Sequence, residues 1–284
     1  MTKEEKPDDE DRLSWHPAFF EAIQMELDEY SHALQFIYEY QLTTEPLRID
    51  VVIIKKIKDI PINKNIASIF RKDNIVEYKS PSGNISVKDF YKVYGYACIY
   101  LVLNGLNIND LSITFVESYY PRDLLIHLEK ERGYEVEEKW PGIYIIKGDI
   151  IPIQIIDNRN LSEEENIWIK NLDIELDKQR ILNVTTEIHR QQSKAARLKA
   201  YLDILIRANE EKFEEALKMS DTMLTLEQIL EKVGLTARWE ARGREQTALN
   251  MIKLGYPMES IVSVTQLDSG KVKELFEGSR CEKN

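Results

Sequence analysis

The stretch Leu47-Arg48-Ile49-Asp50-Val51-Val52-Ile53-Ile54 reads as a strand made for burial, rich in β-branched residues, into which one carboxylate, Asp50, intrudes. About two dozen residues on, Asn74-Ile75-Val76-Glu77-Tyr78-Lys79-Ser80 is a second β-like run. Alternation sets Ile75, Glu77 and Lys79 on one face and Val76 and Tyr78 on the other, so two opposite charges share one side of a strand. If the two strands are neighbours in one sheet, Asp50, Glu77 and Lys79 converge. A carboxylate pair there would bind a hard divalent cation with an ammonium beside it, which is hydrolytic chemistry in outline. The plainer alternative pairs Asp50 with Arg48 or Lys79 and leaves Glu77 and Lys79 on the wet face of an edge strand.

Outward from this pair, the chain alternates helical and extended patterns. A first helix follows Pro17, with Phe19, Phe20, Ile23 and Leu27 near helical spacing and Glu21 and Glu26 among its acids. Residues 34–42 read as a strand, and Thr43-Thr44-Glu45-Pro46 connects it to the Asp50 strand as a hairpin. Residues 55–70 form a loop whose Lys55, Lys56, Lys58 and Lys64 read as solvating surface before phosphate ligands. Ser86 and Asp89 have capping-box spacing and start a helix to about Asn104, with Phe90, Tyr94, Ala97 and Leu101 toward the core. Cys98 on this helix reads as a core residue. An apolar strand at 111–116, a helix at 121–132 closed by Gly133, and strands at 134–139, 143–147 and 152–156 extend the sheet. Asp157, followed by Asn158-Arg159-Asn160, reads as turn chemistry. From Ser162 the pattern is helical, and the tail divides into three short helices at 243–254, 258–267 and 268–277.

Composition narrows the classes. Of 284 residues, 43% are hydrophobic, which permits a large core, and the formal net charge of −11 argues against broad clinging to nucleic acid, since phosphate binding needs clustered Lys and Arg. It leaves room for a metal-dependent site, which is acidic by nature. Two cysteines, Cys98 and Cys281, imply no disulfide framework and fit a reducing compartment. No apolar run reaches membrane-spanning length, so the expectation is a cytoplasmic protein with no membrane partner. His16, His32, His127 and His189 show no metal-ligand spacing.

Asp50, Glu77-x-Lys79 and the apolar strands around them resemble the PD-(D/E)XK nuclease superfamily, and the whole chain looks like its bacterial transposase-associated, recombination-promoting nuclease group. One departure is Ile49, where the family motif has proline before the aspartate. The resemblance implies an α/β, restriction-endonuclease-like fold: a mixed central sheet flanked by helices, followed by an α-helical C-terminal region. The expected organisation is a disordered acidic lead at 1–13, a nuclease-like domain at 14–160, a helical extension at 161–236 and a three-helix tail at 237–284. It further implies a Mg²⁺ or Mn²⁺ site held by Asp50, Glu77 and the carbonyl of Tyr78, joined by an acid from the first helix. Glu26 is preferred for that acid over Glu21, Asp28 or Glu29. Lys79 would orient or help deprotonate the attacking water, and the substrate would be DNA, in a setting of mobile elements or recombination. The rival expectation is a nuclease-fold binding or adaptor protein that no longer cuts. The tail resembles that of the same nucleases and is similar to helix-turn-helix modules. Its last helix sets only Lys271 and Lys273 against Glu274 and Glu277, which favours protein packing, including homo-oligomers through these helices, over base reading.

Overall fold

The computed structural model describes residues 15–38, 51–191, 194, 197–217 and 236–281. Asp50, the connection 43–46 and the lead 1–13 lie outside the described residues. The chain divides into two compact units, 1–220 and 221–284.

The first unit is α/β, built on one seven-stranded mixed sheet. Helix α1 (Trp15–Glu26) precedes β1 (Leu34–Ile37), β2 (Val51–Lys56) and β3 (Asp73–Tyr78). Helix α2 (Val87–Asn104) leads to β4 (Leu111–Glu117), and α3 (Arg122–Lys130) to the meander β5 (Glu135–Trp140), β6 (Ile143–Lys147) and β7 (Ile153–Asp157). The strand order is β1-β2-β3-β4-β7-β6-β5. The β1/β2, β2/β3, β5/β6 and β6/β7 pairs are antiparallel, whereas β3/β4 and β4/β7 are parallel.

Strand β3 is therefore central, and all six of its residues are buried, so the reading of Glu77 as part of a wet edge does not hold. Burial on both faces follows from the two-sided apolar pattern. Ile75 lies in the cluster with Val51, Ile53, Phe90, Phe115 and Ile155 beneath α2 and α3. On the other face Tyr78 stacks on Phe19 of α1, ring centroids 4.3 Å apart and nearly parallel. The buried amide near the start of the strand is satisfied internally: Asn74 donates to the carbonyl of Ile54 at 2.9 Å and accepts from Ser112 Oγ at 2.6 Å.

Helix α2 starts at the expected capping box, Ser86 and Asp89 each accepting the other's backbone N–H, and ends at Gly105 with φ +61°. Its buried positions are Phe90, Val93, Ala97 and Tyr100, with Tyr94 and Leu101 half-buried against the same cluster. Cys98, expected in the core, is exposed, because the stripe through Phe90, Ala97 and Tyr100 turns position 98 outward.

Among the described residues the helices after the sheet are α4 (Ile167–Lys170), α5 (Lys178–Arg190), α6 (Lys199–Ala208) and α7 (Glu210–Leu217). Of these, α4 and α6 pack on α1, while α5 and α7 pack on each other. Glu26, buried at the end of α1, accepts the backbone N–H groups of Trp168 and Ile169 on one oxygen, at 2.9 and 3.1 Å, and the ammonium of Lys64 on the other, at 3.0 Å. A carboxylate thus meets the unsatisfied N–H groups that open α4. Glu21 accepts from the N–H of Tyr201 at 2.7 Å, and Asp28 pairs with Lys194 and Arg197. These ties explain why residues expected to form a separate helical extension belong, as far as residue 220, to the same unit as the sheet.

The described residues of the second unit, taken alone, form three helices, α8 (Thr236–Lys253), α9 (Met258–Thr265) and α10 (Ser269–Cys281). They enclose Ala248, Ile261 and Val272, with Met251, Met258 and Leu275 against them. Gly255, at φ +79°, turns the chain out of α8 ahead of Pro257. Among the described residues no helix is long and apolar enough to cross a membrane.

Replacing Glu26 tests the α1–α4 tie. Glu26→Ala leaves two backbone donors and Lys64 without their acceptor, so urea unfolding is expected to show a loss of about 3 kcal/mol, and Glu26→Gln, which keeps one acceptor oxygen, a smaller loss. An alanine variant as stable as the parent would contradict this role.

Candidate active site

Because β3, β4 and β7 run parallel, their C-terminal ends share one edge of the sheet, and the N-terminus of α2 opens beside it. Ligand sites of open α/β sheets form outside such edges. Glu77 is the penultimate residue of β3 and is buried, with 7% of its surface exposed. Its antiparallel partner is Val51, the residue covalently joined to Asp50. Lys79 follows the strand. Its backbone N–H donates to the carbonyl of Val116 at 2.9 Å, which continues the β3/β4 ladder, and its ammonium stands 3.4 Å from Glu77 Oε1 and 2.9 Å from Asp89 Oδ1. Asp89 is itself fixed, its second oxygen accepting from Ser86 N at 3.0 Å and Ser86 Oγ at 2.6 Å. The α2 cap therefore aims Lys79.

The electrostatics follow from burial. Desolvation pushes the Glu77 carboxyl up to about 7, against the pull of Lys79. Burial works to lower Lys79, but Asp89 and Glu77 together hold its ammonium above the ordinary lysine value, so it stays charged. Asp89 also loses some water, yet its bonds to Ser86 and Lys79 bring it down to about 2. The cluster thus holds one firm anion, one firm cation and one carboxyl poised near neutrality.

The other expected residues are placed as follows. Glu77 and Lys79 are together, as their shared face required. Glu26 stands with both oxygens engaged by Lys64 and the opening of α4, and burial pushes its carboxyl up. The side chain of Tyr78 lies on the α1 face, its hydroxyl buried without a hydrogen-bond partner among the described residues. Of the loop lysines, Lys55, Lys56 and Lys64 pair with Asp73, Asp59 and Glu26. On α5, Arg180 pairs with Asp173 and Arg190 with Glu187.

Two residues at the edge were not singled out by sequence reasoning as part of a site. Asp89 was read for its cap alone. Glu117, which ends β4, is wholly buried, and its Oε2 accepts the N–H of Ile85 at 3.0 Å. The signal available for it was an acid ending an apolar strand, the same pattern as Glu77. Among the described residues, which exclude Asp50, no three His, Cys, Asp or Glu side chains gather as a metal cluster. Comparison with family models, with curated proteins and with solved structures gave no match.

Asp89 yields a pH prediction. Its folded value of about 2 lies below the ordinary 3.8, so its charge contributes stability above pH 3.8 that is lost as pH falls toward 2. Asp89→Asn is expected to cost about 1 kcal/mol at neutral pH, the scale of a helix cap, and the gap to the parent should narrow as pH drops below that ordinary value. Thermal melts showing a gap independent of pH would contradict the Lys79–Asp89 pairing.

Proposed function

We propose that the chain is a divalent-metal-dependent nuclease that hydrolyses phosphodiester bonds in DNA, on a restriction-endonuclease-like core of the PD-(D/E)XK type. The observation that carries this reading is Glu77 and Lys79, 3.4 Å apart at the end of a central buried strand whose neighbour β2 begins one residue after Asp50. The order of elements supports it: a helix bearing acids, then β1-β2-β3 as an antiparallel meander, a helix, and β4 parallel to β3.

The residues suit a hard cation. Glu77 offers carboxylate oxygens, and its position near 7 despite Lys79 means that a further positive charge there would be stabilising. Asp50, Glu77 and the Tyr78 carbonyl would hold Mg²⁺ or Mn²⁺, which when bound supplies Lewis-acid polarisation and a lowered pKa for coordinated water. Glu26 is left out of this set, since α4 and Lys64 occupy its oxygens. Lys79, kept cationic by Asp89 and Glu77, serves as a donor rather than a base. It orients the attacking water and stabilises charge developing on the phosphate. DNA is the proposed substrate, contacted locally, because the net charge of −11 gives no general attraction to phosphate.

Nicking of supercoiled plasmid with Mg²⁺ or Mn²⁺ tests the reading. Glu77→Gln and Lys79→Ala should each lower the rate by about a hundredfold or more, with EDTA melting curves near the parent's. Nicking by both variants at the parental rate would remove these residues from the chemistry. A parent protein that binds DNA without nicking it would instead leave the adaptor reading.

A further inference from the structure

One strand further along the same edge, β4 and β7 both end in an acid. Glu117 and Asp157 are Cα partners in the parallel ladder, so their side chains leave the same face at the same height. The ladder bond from Lys79 N to Val116 O puts Lys79 beside Glu117 on the opposite flank. Glu117 is 0% exposed and Asp157 2%.

Each carboxylate is half satisfied. Glu117 Oε2 accepts from Ile85 N at 3.0 Å, and Asp157 Oδ2 from Asn160 Nδ2 at 2.7 Å, which is the turn chemistry expected of Asp157. Glu117 Oε1 and Asp157 Oδ1 are buried with no hydrogen-bond partner among the described residues. A buried anionic oxygen without a donor is costly, and two side by side repel each other as well. Burial pushes Glu117 up to about 7, and the Asp157 charge adds to the rise against the pull of Ile85. Burial also raises Asp157, against its turn donors Asn160 and Arg159.

The ion pairs of the adjacent Lys79 and Arg159 go to other acids, and Lys170 donates to the Arg159 carbonyl at 2.7 Å, although the Arg159 charge still reaches Asp157. Lys79 is held by Glu77 and Asp89, and Arg159 by Asp173 at 2.7 Å and Glu175 at 3.3 Å. Gly142, at φ +74°, presses on this corner so closely that a Cβ would stand 2.5 Å from the Asp157 carbonyl oxygen. The pair is thus held by backbone on one side and by the ladder beneath.

We propose that Glu117 and Asp157 form a seat for a hard divalent cation, Mg²⁺ or Mn²⁺, separate from the Glu77 ligand. Two carboxylates suffice, since such an ion keeps several waters as its remaining ligands. The seat depends on Glu117 and Asp157 alone. Only its service to phosphodiester cleavage rests on the nuclease reading.

The test titrates Mn²⁺ into the full, EDTA-stripped chain, following free Mn²⁺ by electron paramagnetic resonance and melting temperature in parallel. The parent and Glu77→Gln should both bind an ion at this seat and melt higher with Mn²⁺. Glu117→Gln and Asp157→Asn should each weaken that site about tenfold or more, and the double variant should lose one equivalent while still folding in EDTA. A double variant with the parent's stoichiometry and affinity would overturn the seat. So would a parent indifferent to Mn²⁺ whose stability falls more steeply as pH rises toward about 7 than that of Glu117→Gln, in which Glu77 still titrates, since a proton would then neutralise the pair. Mn²⁺ binding that Glu77→Gln retains, in a protein that never nicks DNA, would uphold the seat and defeat the nuclease reading.

Discussion

An ammonium caught between two carboxylates at the end of a strand covered on both faces is the constraint on which the rest depends. Glu77 is buried on a strand that lies between β2 and β4, and its charge is tolerable there because Lys79 lies within 3.4 Å. Lys79 would otherwise be free to swing into water. It is held by Asp89, and Asp89 by the cap of α2. The helix therefore does more than cover the sheet. Its first turn fixes the direction of the cation paired with Glu77.

The parallel run β3-β4-β7 extends the same logic sideways. Parallel strands deliver their last residues to a common edge, and here those residues include Glu77, Glu117 and Asp157. An apolar ending would have been cheaper for folding alone, because each acid is desolvated and two of them keep an oxygen without a donor among the described residues. The opposite face shows what a purely structural acid looks like. Glu26 is as buried as Glu77, yet three donors converge on its two oxygens and tie α4 to α1. The contrast between a saturated carboxylate and half-satisfied ones separates the tie from the candidate chemistry.

Much of this was legible in the sequence. Period-two alternation in 74–80 put Glu77 and Lys79 on one face, and the Ser86/Asp89 spacing announced the cap that starts α2. What could not be read were contacts set by distant parts of the chain. Glu26 meets backbone 142 residues away, and no local pattern marks it as a tie rather than a ligand. Glu117 ended a run of apolar residues and looked like a boundary, although the parallel register with Asp157 makes it part of the edge. The helices after Ser162 looked like an extension because amphipathic periodicity says that a face is buried, not against what; the partner of α4 and α6 is α1. Cys98 shows the same limit within one helix, where small shifts in the core stripe decide which side a residue faces.

Anomalous diffraction from crystals of the full chain soaked in Mn²⁺ addresses the central claim, that this edge of the sheet is built to hold divalent cations for hydrolysis. The expected result is Mn²⁺ density at the C-terminal ends of β3, β4 and β7, with carboxylate oxygens of Glu77, and of Glu117 and Asp157, at about 2.1 Å from the ions, the spacing of hard octahedral coordination. Density confined to surface carboxylates elsewhere, with Glu77 still bound only to Lys79, would contradict it.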